Sequence, residues 1–149
     1  MQDGIYDYIS NKEHLDYEFY SVGPKGKIKK IVRFTMIESN GLQFYNLGFG
    51  DWNEETEAIN DFAVTNNADI EKVLGTVAAI VVEFTRQFED AIIYAEGSTL
   101  ARTRRYQMGI NKLWNEIYLY YDIYGVTMEE IIEPFRKNVN YAAFWLRRK

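Results

Sequence analysis

A short run of the chain, Glu96-Gly97-Ser98-Thr99-Leu100-Ala101-Arg102-Thr103-Arg104-Arg105, holds the residue types that recognise an anion. A glycine and two hydroxyls at the start of a helix leave backbone N–H groups directed at incoming negative charge. Arg102 and Arg105 stand three apart, so both guanidinium groups can lean toward one ligand. The same residues have a purely structural use, in which Ser98 or Thr99 caps the helix and the arginines pair with surface acids such as Glu96. Thr65-Asn66-Asn67 and Ala95-Glu96-Gly97-Ser98 each end a segment expected to be a parallel strand. Ligands of open α/β sheets bind beyond such strand ends, so the expected pocket is lined by Asn66, Asn67, Glu96, Ser98, Thr99 and Arg102, with Arg105 one turn on.

Other chemistries have less to work with. Asp51-Trp52 follows Gly48-Phe49-Gly50, and a carboxylate beside an indole on a glycine-flanked loop can hold a polar ligand against a flat ring. The simpler role is a Trp that packs over a sheet end beside a solvated Asp. His14 is the single histidine, which rules out a histidine-rich metal site and confines any Ser-His-Asp triad to this one residue. It lies in the polar run Ser10 to Asp16, where a loop-packing role is the ordinary one. Adjacent acids such as Glu54-Glu55 and Glu129-Glu130 face water more often than they share a proton. No Walker loop, metalloprotease helix or dinucleotide fingerprint is present.

Composition narrows the class further. The 149 residues suit one domain spanning 1–149, and a 47% hydrophobic content is ample for its core. A net charge of -5 argues against general nucleic-acid binding, which needs a basic footprint to displace counterions. Basic residues cluster only locally, at 25–30, 102–105 and 147–149, enough for one phosphate but not for a duplex. The absence of cysteine removes disulfides, thiolate catalysis and cysteine-based zinc sites. The first residues lack the basic and apolar regions of a signal peptide, and the most apolar stretch, 73–82, is about half a membrane span. The expectation is a cytoplasmic protein with no membrane contact and no cofactor.

The elements that must position these residues follow from periodicity. Tyr17 to Val22 and Ile28 to Ile37 are predicted strands joined by Gly23-Pro24-Lys25-Gly26, with Ile31, Arg33, Thr35 and Ile37 on one side. Asn40-Gly41 is a two-residue hairpin signal, and Leu42 to Phe49 alternates with period two. Asp51 to Glu57 is expected to be a loop and Asp61 to Thr65 a fourth strand. Ile70, Val73, Leu74, Val77, Ile80, Val81, Phe84 and Phe88 then form one helical stripe, with Asp69 as its N-cap. Ala91 to Ala95 reads as a buried strand, Leu100 to Trp114 as a second helix with Leu100, Ile110, Leu113 and Trp114 inside, and Ile117 to Tyr124 as a strand. Met128 to Phe135 is expected to be a short helix and Tyr141 to Leu146 a last strand. The fold class is α/β (α+β), with a mixed, mostly antiparallel sheet and two main helices.

This order of elements resembles the N-acetyltransferase (GNAT) superfamily, which uses acetyl coenzyme A, over a core of about 17–124 with a C-terminal extension 125–149. Phe62-Ala63-Val64 before the long helix is similar to that superfamily's central strand. Ala101 to Ile110, with its basic residues, Tyr106 and Gly109, is similar to its later helix, and the resemblance implies Tyr106 as a general acid. Members hold the coenzyme pyrophosphate on a Gln or Arg followed by spaced glycines. Here the corresponding segment is Thr65-Asn66-Asn67-Ala68-Asp69-Ile70-Glu71, with no glycine, no base and two carboxylates. Ordinary coenzyme A binding is therefore not expected. The chain also resembles a family of small bacterial proteins of unknown function, through Gly23-Pro24-Lys25-Gly26, Phe49-Gly50-Asp51-Trp52, Val64-Thr65-Asn66-Asn67 and Tyr94-Ala95-Glu96-Gly97-Ser98-Thr99.

Three classes of function fit these residues. One is a non-enzymatic domain that binds a small anionic ligand or a protein partner. The second is an acyltransferase-like enzyme with altered cofactor use, with Tyr106 as acid and Glu96 as base, which requires Glu96 to have a raised pKa. The third is a subunit of a toxin–antitoxin or defence assembly, marked by self-association as a homodimer or by an exposed patch of Tyr118, Tyr120 and Phe144.

Overall fold

In a computed structural model of the chain, the residues described are 4–60 and 67–149. The architecture is α+β, with a mixed, mostly antiparallel open sheet and two helices. The strands are β1 (Ile9–Ser10), β2 (Asp16–Gly23), β3 (Gly26–Ser39), β4 (Leu42–Asn53), β5 (Ala58–Asn60), β6 (Ile92–Ala95), β7 (Tyr121–Val126), β8 (Ile132–Pro134) and β9 (Ala143–Arg148). The helices are α1 (Ile70–Gln87) and α2 (Leu100–Ile117). By internal contacts the chain divides into two units, 1–34 with 48–87 and 35–47 with 88–149, so β3 and β4 each contribute to both.

In the first unit β2 pairs antiparallel with β1 and β3, and β5 pairs with the end of β4. Alternation along β2 buries Tyr17, Phe19 and Ser21, and the register sets them opposite Val32, Lys30 and Ile28. The apolar stripe of α1 (Val73, Leu74, Val77, Ile80 and Phe84) is buried, and Phe84 stacks on Phe34 with ring centroids 3.8 Å apart. The incoming chain lies on the same helix, since the Tyr6 N–H donates to Thr76 Oγ1.

In the second unit β6 pairs parallel with β4 and antiparallel with β9, which pairs with β7, and β7 with β8. The core there holds Ile93, Ala95, Tyr121, Ile123, Phe135, Tyr141 and Phe144. The buried line of α2 is polar, Thr103 and Gln107, because that helix rests on loops with backbone groups to satisfy. The Gln107 amide donates to Val139 O and accepts from Tyr141 N–H.

Several expectations need correction. The segment 51–53 is strand, not loop, because Asp51, Trp52 and Asn53 pair with Asn60, Ile59 and Ala58. The parallel partner of β6 is β4, while the strand expected at 61–65 lies outside the described residues. The second helix continues to Ile117 and the following strand begins only at Tyr121. Leu100, placed on the inner side of that helix, is 60% exposed. The helix expected at 128–135 is a turn followed by β8. Thr127 takes the backbone of this segment, bonding Glu130 and Ile131, and Glu130 adopts φ 66, outside any helix. Phe144 is fully buried, so it cannot join Tyr118 and Tyr120 in an exposed patch; in β9 the outward aromatic is its neighbour Trp145.

Candidate functional site

The run from Glu96 to Arg105 begins where β6 ends. Ile93 and Ala95 point into the core, so Tyr94 and then Glu96 fall on the opposite side of the strand. Tyr94 Oη donates to Glu96 Oε1 at 2.8 Å. Burial, then this bond to a carboxylate, pushes the Tyr94 hydroxyl up to about 12. Glu96 is thus engaged along the sheet by Tyr94.

Gly97 lets the chain fold onto α2. A Cβ there would lie 2.4 Å from Thr103 N and 2.6 Å from Arg102 Cβ, closer than any side chain tolerates. Its N–H donates to Thr103 Oγ1, whose hydroxyl in turn donates to Thr99 O. Thr99 is the N-cap, extended at φ -137 and ψ 163, and its hydroxyl accepts from Arg102 N–H at 3.2 Å. One of the N–H groups that a helix start leaves unpaired is thereby satisfied. Ser98 and Thr99 are exposed, and Arg102, Arg105 and Tyr106 are half-buried.

The electrostatics of the arginines are the informative feature. Burial lowers the Arg105 pKa, and the positive charge of Arg102 lowers it further. No described carboxylate stands at ion-pairing distance from Arg105. Burial and the neighbouring Arg102 charge act on Arg105 in the same direction, the one that a nearby anion would oppose.

The remaining sequence candidates belong to the first unit or lie outside the described residues. Asn66 lies outside the described residues. Asn67 belongs to the first unit, where its amide is fully used: it donates to Ser21 Oγ and Gly26 O and accepts from Lys25 N–H. Gly23 has no side chain because a Cβ there would overlap Asn67 O. Asp69 joins the same network, accepting from Tyr6 Oη at 2.7 Å and Ser21 Oγ at 2.5 Å. Together these bonds fasten the 23–26 turn to the start of α1.

Asp51 makes a short ion pair with Lys30, 2.5 Å, with both side chains largely buried. Lys30 was missed as an inward cation, although alternation with Val32 and Phe34 marks it. Trp52 lines a cleft of about 240 Å³ with Asp16, Glu18, Lys29 and Arg33. Those charges are already paired, Arg33 to Asp16 through two N–H groups and Lys29 to Glu18. His14 sits at φ 60 in a loop, with Nδ1 3.3 Å from Ser10 Oγ. Among the described residues no group of three or more His, Cys, Asp and Glu side chains converges for a metal, and no helix is long and apolar enough to cross a membrane.

A family model described as a family of unknown function (DUF6934) matches residues 2–149. No curated protein and no solved structure matches the chain.

Proposed function

The chain belongs to this family of unknown function across residues 2–149, and on that premise we propose that it binds a small anionic ligand, of phosphate or pyrophosphate type, at the start of α2. The observation that supports this reading is Arg105, half-buried, its pKa lowered by burial and then by Arg102, and without a described carboxylate partner. Planar guanidinium donors suit phosphate oxygens, and the helix end adds partial positive charge.

The scaffold proposed is an N-acetyltransferase-like one that lacks the coenzyme A pyrophosphate loop. Its support is the order of strand meander, long helix, strand and second helix, with β4 and β6 parallel. Support for the missing loop comes from residues 67–71. The Asn67 and Asp69 side chains are occupied by the 23–26 turn and its neighbours, and Glu71 adds a second carboxylate in the first turn of α1. A transferase with Tyr106 as acid and Glu96 as base has less support, since Glu96 takes the Tyr94 hydroxyl.

Thermal unfolding with inorganic pyrophosphate, against sodium chloride of matched ionic strength, tests the proposal. At a hundredfold excess over its dissociation constant a ligand adds about 2.7 kcal/mol, on the order of 5–10 °C for a chain of this size. Arg105→Gln should abolish the shift while keeping the ligand-free midpoint. An equal shift in the variant, or none in the wild type, would overturn the site.

A further inference from the structure

The second unit carries a sheet face that its helix does not cover. Register places Tyr94, Trp145, Tyr124 and Pro134 side by side across β6, β9, β7 and β8. Two residues along the strands, Ile92, Arg147 and Asp122 form a second row. Phe44 extends the ring cluster, its centroid 5.0 Å from Trp145, and Tyr94 lies 4.6 Å from Trp145. The face is open to solvent: Leu42, Tyr124 and Ile132 are 43, 37 and 59% exposed, and with Trp145 and Leu146 they line a shallow cleft of about 390 Å³.

We propose that this face is the interface of a homodimer, in which Asp122 and Arg147 of one copy meet Arg147 and Asp122 of the other. The argument is charge complementarity under symmetry. A two-fold interface requires that wherever one residue meets a second, the second meets the first. An axis parallel to the strands, between β7 and β9, exchanges Asp122 with Arg147 and, in the next row, Tyr124 with Trp145. Both contacts become reciprocal at once, an aromatic row beside an ionic one. Within one chain the pair makes a long Arg147 Nε to Asp122 Oδ2 contact of 3.5 Å, leaving guanidinium donors for a second carboxylate. Pairing through the sheet edge is disfavoured, because β8 is three residues long and ends in Pro134. Face-to-face packing about 10 Å apart is what such a surface permits.

The test is the mass of the full chain in solution, measured by light scattering across a dilution series into the tens of micromolar. The wild type should reach twice 17.5 kDa. Asp122→Arg alone and Arg147→Asp alone each set like charges opposite one another twice per interface, and should weaken the dimer at least about a hundredfold. An equimolar mixture of the two variants should regain the dimer, since opposite charges then meet only between chains. Far-ultraviolet circular dichroism of each variant verifies folding; if one fails, Tyr124→Glu, exposed on the same face, replaces it and should likewise dissociate the dimer, a persisting dimer overturning the interface. A monomeric wild type overturns the proposal and leaves the cleft to a small apolar ligand. Dimers that persist in both single variants, or a mixture that stays monomeric, overturn the reciprocal pairing.

Discussion

Adding one methyl group at Gly97 should damage the start of α2 far more than the same change elsewhere. The new Cβ would lie 2.4 Å from Thr103 N, 2.6 Å from Arg102 Cβ and 2.7 Å from Arg102 C. Two of the three are backbone atoms, so no rotamer change relieves the contact, and the loop or the first turn must move by about 1 Å to restore an ordinary separation of ~3.4 Å. Overpacking of this kind costs about 1–3 kcal/mol, and displacement endangers the Gly97 N–H to Thr103 Oγ1 bond, worth a further ~1 kcal/mol. Gly48→Ala is the control, since its Cβ would meet only Arg33 O at 3.7 Å, an ordinary contact. Urea unfolding of both variants should show Gly97→Ala lower by about 2–4 kcal/mol and Gly48→Ala within about 1 kcal/mol of wild type. Pyrophosphate stabilisation should also fall in Gly97→Ala, because Arg102 moves with the loop. Equal stability of the two variants would refute the close approach on which the proposed site depends.

Three further outcomes are expected. Lys30→Met takes the ammonium away from the largely buried Asp51 carboxylate and should cost about 3–5 kcal/mol in urea unfolding, while Lys30→Met with Asp51→Leu should recover much of it. Tyr17→Phe should be neutral or stabilising by about 1 kcal/mol, since the Tyr17 hydroxyl is buried with no hydrogen-bond partner among the described residues. The same hydroxyl, pushed up to about 12 chiefly by burial and then by Glu83, supplies stability that is present below the unfolded value near 10 and lost as pH rises through about 12. Alkaline unfolding of Tyr17→Phe should therefore begin at higher pH. Glu133 is held below its ordinary value by the Tyr141 hydroxyl and then Arg136, so its contribution is present above the unfolded carboxylate value and lost as pH falls through the folded one. Glu133→Gln should flatten the acid limb of the stability curve, measured by urea midpoints from neutral to acid pH.

The sequence made elements legible where a single physical signal acted alone. The stripe of α1 has one apolar face and no competing pattern, and its observed limits fall within a residue of those expected. Asn40-Gly41 supplies two positive φ angles, 53 and 81, as a tight hairpin requires. Thr99 caps α2 as its residue type and position suggest. Legibility failed where tertiary contacts set the pattern. The most buried residues of α2 are Thr103 and Gln107, chosen for the loops they bind; apolar periodicity finds Trp114, which packs on Phe135, but misplaces Leu100 and the helix end. Phe144 and Trp145 are equally apolar, and only the register of β9 decides which is core. At the site, the hydroxyls and arginines were readable as residue types. The engagement of Glu96 by Tyr94 and of Asn67 by the 23–26 turn was not, because both depend on strand alternation and on a partner distant in sequence.

The parallel pairing of Tyr45 with Ile93 is made by residues that synthesis delivers far apart, with all of α1 between them. Closing so long a loop carries an entropic cost before any contact offsets it, and non-local pairing of this kind sets slow folding rates. While β6 is still missing from the nascent chain, β4 presents an open edge with Tyr45 and Leu47 on it. The interval before β6 arrives is when the chain is most exposed to pairing with the wrong strand.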